Sequence, residues 1–134
     1  MTRALEEKNI ALDIEALDTL FNKKDDEKAA QFWSESYVQH SQHVSAGRDR
    51  LFGLVRSLTD MRFEYDMVTA NGDFVWAHSR YTNSATPTAP IAANILRIED
   101  GKLVEHQDVL QNEAPRSESA GGYPMFGDRL ADER

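Results

Sequence analysis

From residue 61 onward the chain alternates apolar and polar side chains, and glycine-containing pairs interrupt the alternation at intervals. In MRFEYDMVT, Met61, Phe63, Tyr65 and Met67 alternate with Arg62, Glu64 and Asp66, the pattern of a strand with one buried face. Asn71-Gly72 follows, and DFVWAHSRYTN then reads as a returning strand. IAANILRIE and KLVEHQDVLQ form a further pair around Asp100-Gly101. Asn-Gly and Asp-Gly accept positive φ, so each predicts a tight hairpin. SATPTAP carries two prolines and reads as a longer loop. The prediction is a four-strand antiparallel meander that needs something to cover its apolar face.

The cover lies upstream. Ile10, Ile14, Leu17 and Phe21 recur at helical spacing, and Leu5, Leu12 and Leu20 broaden the stripe. Lys23 and Lys24 suit the negative end of that helix. Asp25 or Asp26 can cap a second helix, EKAAQFW. YVQHSQHV reads as extended. A third helix is predicted at GRDRLFGLVRSL, with Leu51, Leu54, Val55 and Leu58 on one face and Gly47 near its start. Helices followed by a meander give an α+β class, one curved sheet over three helices. The domain is expected to span 1–112. The segment 113–134 reads as a polar tail that docks through Tyr123–Phe126, with Met125 and Phe126 over the mouth of the fold or on a dimer partner.

A length of 134 residues fits one core. The net charge of -8 argues against nucleic acid as a partner. Cysteine is absent, which removes thiolate chemistry and fits a reducing, cytoplasmic setting. No stretch approaches the roughly 20 apolar residues of a membrane span.

YVQHSQHVSAGRDRLFGLVRSL, ILRIEDGKLVEHQDVLQ and GGYPMF together resemble the SnoaL-like, polyketide cyclase-like family of the nuclear-transport-factor-2-like superfamily. The resemblance implies a cone, a strongly bent sheet closed by N-terminal helices around a pocket. It also implies cofactor-free chemistry on a carbonyl compound, such as aldol-type cyclisation or isomerisation. The family often carries Trp between the histidine and aspartate of the last strand, where this chain has Gln107.

Parity sorts the last strand. Val104, His106, Asp108 and Leu110 share one face; Leu103, Glu105, Gln107, Val109 and Gln111 share the other. The resemblance points the first face inward. A carboxylate beside an imidazole in an apolar cavity suits proton transfer, and a hydrogen-bonded structural couple is the alternative. His40 and His43 sit three apart, so an extended strand sends them to opposite faces, which argues against joint metal binding. The resemblance favours His40 as the inward one, with His43 at the rim. The orientation of His78 stays open. Were it inward, His40, His78, His106 and Asp108 could converge on a metal. Asn94 is an amide on an apolar face and needs a partner. Trp33, Tyr37, Phe63 and Tyr65 are expected in the core or pocket wall, and an outer face with Val75, Tyr81 or Val109 would suit a dimer.

The leading expectation is thus acid/base catalysis by Asp108, His106 and His40. Tyr37, Trp33, Asn94, Phe63, Tyr65, His78 and Phe126 would contact a small hydrophobic or carbonyl-containing ligand, with no cofactor. A non-catalytic hydrophobic-ligand-binding or dimerisation module, and a metal enzyme, are the alternatives.

Overall fold

A computed structural model describes residues 3–41, 47–84 and 89–130. Helix α1 (Arg3–Leu17) runs into a π-helical turn (Asp18–Asn22), followed by a short α2 (Asp26–Ala29), strand β1 (Trp33–Gln39) and helix α3 (Arg48–Ser57). Strands β2 (Arg62–Asn71), β3 (Phe74–Thr82), β4 (Pro90–Glu99) and β5 (Lys102–Asn112) complete the sheet, and a 3-10 turn (Arg116–Glu118) begins the tail. The strand order is β1-β5-β4-β3-β2. The meander is antiparallel as its turns predict, but β1 adds to β5 in parallel, so the five-strand sheet is mixed.

The hairpin at Asp100-Gly101 has positive φ at both residues. At the first hairpin Asn71 is still paired, with Phe74, and the loop is Gly72-Asp73, with positive φ at Gly72. Register breaks curl the sheet. Asp66 is the extra residue of β2, and Val104 that of β5, since Leu103 pairs with Ile98 and Glu105 with Arg97. Bulges bend strands and raise their twist, which turns the sheet into a trough.

The core fills that trough with Leu17, Leu20 and Phe21, Trp33, Phe52, Val55, Phe63, Leu96 and Leu103. Three sequence expectations shift. On α1 the deepest residues include Asn9 and Asp13, while Ile10, Leu12 and Ile14 are half-buried and Leu5 is exposed. The helix is rolled so that two polar side chains face inward. The second helix ends at Ala29, and Trp33 begins β1 inside the core. Val75 and Tyr81 are not on the outer face, for Val75 is buried and Tyr81 packs on Phe21 and Phe63.

Side chains lock the connections. Asp25 caps α2 by accepting from the Lys28 N–H. Lys24 Nζ donates to the carbonyls of Phe21 and Met61. Arg48 donates to the carbonyls of Ala30 and Trp33, which ties α3 to the start of β1. In the tail, Phe126 packs on the ring of His78 and under the Arg80 guanidinium, and the Gly127 N–H donates to Asp66. Tyr123 is exposed. Among the described residues no helix is long and apolar enough to cross a membrane.

Candidate active site

A cavity of about 240 Å³ opens between the helices and the concave face of the sheet. Its apolar wall comes from Leu17 and Phe21, from Leu51, Leu54 and Leu58 of α3 and its end, and from Leu96 and Leu110. Its polar groups are Tyr37, Gln39, Ser41, Tyr81, Ser84, His106 and Asp108, with Trp33 beside Tyr37. Among the described lining residues Asp108 is the only carboxylate, and no lysine or arginine is present. An anionic ligand would meet a like charge there, whereas a neutral one would not.

Four of these groups and one buried neighbour form a continuous chain. Gln39 Nε2 donates to Tyr37 Oη at 3.0 Å, and Gln39 Oε1 lies 2.5 Å from His106 Nδ1. His106 Nε2 lies 2.8 Å from Asn94 Oδ1, and Asn94 Nδ2 donates to Tyr81 Oη at 2.9 Å. Burial, with a smaller contribution from the His40 charge, pulls the His106 imidazole down to about 4, so the ring is neutral at pH 7. Burial pushes both tyrosine hydroxyls up, so they stay protonated donors; the negative charge of Asp108 acts on both in the same direction. The Trp33 indole N–H is buried beside the Tyr37 hydroxyl and, like Gln39, partly offsets the upward pull of burial there.

The sequence candidates divide by strand face. His106 and Asp108 line the cavity together, with Trp33 and Tyr37. Asn94 sits fully buried behind them. His40 needs correction: its side chain is 48% exposed and pairs with Glu105 at 2.7 Å, on the outer face. Glu105 in turn pairs with Arg97, and the hydrogen bonds from Arg97 and then His40 hold its carboxyl below the usual range. Strand alternation explains the error, because Tyr37 and Gln39 point inward and the next residue must point out. His78 also lies outside, 2.6 Å from Asp66. The four groups His40, His78, His106 and Asp108 therefore do not converge, and no cluster suited to a metal occurs among the described residues. Phe63 is in the core, Tyr65 lies toward the surface, and Phe126 covers the outer face instead of the cavity. His43 lies outside the described residues.

Parity also fails at one point on β5. Leu103 is buried in the core, because the bulge at Val104 reverses the alternation between it and His106. Sequence reasoning missed Gln39 and Tyr81. Gln39 was within reach, since it shares parity with Tyr37; Tyr81 shares its face with the small residues Ala77 and Ser79, which allow the close approach of α1.

The SnoaL-like domain family matches residues 14–106. Among solved structures the chain is similar to a candidate ketosteroid isomerase from Kribbella flavida, with TM-score 0.72 and 18% identity over 94% of this chain and 97% of that one. It is also similar to a candidate SnoaL-like polyketide cyclase from Shewanella putrefaciens (TM-score 0.60, 13% identity, 77% and 79% covered). An LEH-like epoxide hydrolase from M. tuberculosis gives TM-score 0.64 and 14% identity, with 79% and 84% covered. At these identities the likeness establishes the fold alone. No curated protein matches the sequence significantly.

Proposed function

The chain belongs to the SnoaL-like domain family, and from that premise we propose that it is a small-molecule enzyme moving a proton on a neutral carbonyl compound inside the cavity. The observation that carries this reading is the single carboxylate, Asp108, in a largely apolar wall that also presents the Tyr37 hydroxyl. In the proposed step Asp108 takes the acidic α-proton, the C–H pair moves into the carbonyl, and the enolate oxygen accepts a hydrogen bond from Tyr37 O–H. Asp108 then either returns the proton to another carbon of the enolate, an isomerisation, or gives it to the alkoxide formed when the enolate attacks a second carbonyl, an aldol-type cyclisation. A neutral His106 holds Gln39 and thereby Tyr37 in place. A positioned acid/base group contributes about 10²–10⁴ in rate, and a preorganised donor to the oxyanion adds to that.

Exchange of α-hydrogens tests the step without knowledge of the natural substrate. With 2-tetralone in D₂O, followed by NMR, the protein should accelerate deuterium incorporation, and Asp108→Asn should remove about 10²-fold or more of the acceleration. Saturable binding without exchange would instead make the chain a binding module.

Two copies are proposed to pair through the outer face of the sheet. Met67, Trp76 and Val109 are 63%, 46% and 69% exposed. Register places them in adjacent rows with Ile95 and Ala93 between. A contiguous exposed apolar patch of this kind marks an interaction surface. Sedimentation at micromolar concentration should show a dimer, and Trp76→Glu a monomer.

A further inference from the structure

Two phenols, and not one, line the polar end of the cavity, and the chain Tyr37–Gln39–His106–Asn94–Tyr81 joins them without a gap. We propose that Tyr81 is a second hydroxyl donor of the site, coupled to Tyr37 through this chain so that one hydroxyl at a time directs its proton into the cavity. The proposal rests on the reading of the cavity as a carbonyl site and adds a donor and a coupling to it.

The supply of donors and acceptors along the chain couples the two hydroxyls. Each carboxamide offers one accepting end and one donating end, and a neutral imidazole offers one of each. With both amide oxygens turned to the ring, both ring nitrogens must donate, which only an imidazolium can do. With a neutral ring, one carboxamide therefore turns its NH₂ to the ring. If Asn94 turns, its oxygen accepts the Tyr81 O–H, its NH₂ donates to Nε2, and Nδ1–H donates to Gln39. Gln39 then donates to Tyr37, whose own O–H is left for the cavity. If Gln39 turns, every bond reverses, Tyr37 is consumed, and Tyr81 O–H is left instead. The Ser41 N–H also reaches Gln39 Oε1, at 3.4 Å, a long contact that favours the first arrangement. A ligand with one acceptor can use either polarity, so the site can hold a carbonyl at either phenol.

Two measurements on the full chain test this. In ¹⁵N-histidine spectra at pH 7 the wild-type His106 ring should carry one N–H. Gln39→Glu supplies an acceptor only, so Nδ1 must be protonated; Asn94→Asp does the same for Nε2. A bare Nδ1 in the first variant, or a bare Nε2 in the second, overturns the relay. The second measurement is acetophenone affinity by titration. Tyr37→Phe and Tyr81→Phe should each weaken it less than about twofold, because the other phenol takes over, while the double variant should lose about tenfold or more, well beyond the product of the two. If Tyr81→Phe changes nothing in either background, if the two losses simply multiply, or if acetophenone does not bind, Tyr81 is not a coupled donor. Loss of α-exchange in Asp108→Asn is independent of these outcomes, so the relay and the proton-transfer reading fail separately.

Discussion

Asn94 faces Asp108 directly across the β4–β5 ladder, yet its Oδ1 reaches diagonally to His106 Nε2, 2.8 Å away. The diagonal bond anchors the imidazole through the amide, and Asp108 lines the cavity beside it. The sheet therefore separates a fixed ring from an acid that lines the open space.

Asn94→Leu should be costly, because it keeps volume but strips the partners of two polar groups. Asn94 is fully buried, and both His106 Nε2 and the Tyr81 hydroxyl depend on it. Each unsatisfied group costs about 1–3 kcal/mol, so urea unfolding should show a loss of about 2–6 kcal/mol. Leu96→Ile on the same strand, which touches neither bond, should cost about 1 kcal/mol.

Asp13 and His106 should give opposing pH dependences. Burial raises the Asp13 carboxyl from 3.8 to about 7, and neither oxygen has a hydrogen-bond partner among the described residues. Between those values the folded chain holds a proton that the unfolded chain has lost, so stability falls as pH rises from about 4 to about 7. His106 is lowered from 6.5 to about 4, so there the unfolded chain holds the extra proton and stability falls as pH drops through that window. Asp13→Asn should thus stabilise the protein by about 4 kcal/mol at pH 8 and by little at pH 4. In that variant the slope between pH 6 and 5, above the range where the lowered carboxylates begin to protonate, belongs mainly to His106. Chemical denaturation at pH 4, 5, 6 and 8 measures both.

How much of this was legible follows from local rules. The Asp100-Gly101 hairpin and the shared face of His106, Asp108 and Leu110 come from turn chemistry and alternation, which act over a few residues; the inward direction of that face came from the family resemblance. Alternation alone would also have favoured Gln39 over His40, since Tyr37 and Gln39 share a face. What local rules do not carry is the bulge at Val104, which puts Leu103 inside, or the parallel pairing of β1 to β5. Both depend on partners far along the chain. The inward turn of Asn9 and Asp13 on α1 was equally hidden, because an amphipathic stripe does not reveal how a helix rolls on a curved sheet.

Phe126→Ala should loosen the tail without altering the cavity. The ring is buried against His78 and Arg80, and Arg80 also pairs with Glu64 and Glu113. Truncation removes the cover of that ion cluster, at about 3 kcal/mol. Phe126→Leu should recover more than half of the loss. Deuterium exchange into 2-tetralone should be unchanged in both, since the ring lies on the opposite side of the sheet from Asp108.

Leu54→Trp should separate occupancy of the cavity from stability of the fold. Leu54 is half-buried on α3 and lines the cavity wall, so a larger ring there can grow into existing space instead of displacing packed neighbours. Overpacking a filled core costs about 1–3 kcal/mol, whereas filling a void costs less, so unfolding should shift by about 1 kcal/mol or less. The added ring would narrow the cavity of about 240 Å³ and take the space a ligand's ring would use against α3, and acetophenone affinity should fall at least about threefold. A variant that keeps both stability and affinity would show that the ligand occupies some other part of the molecule. One that loses stability by several kcal/mol would show that the α3 wall has no room to give.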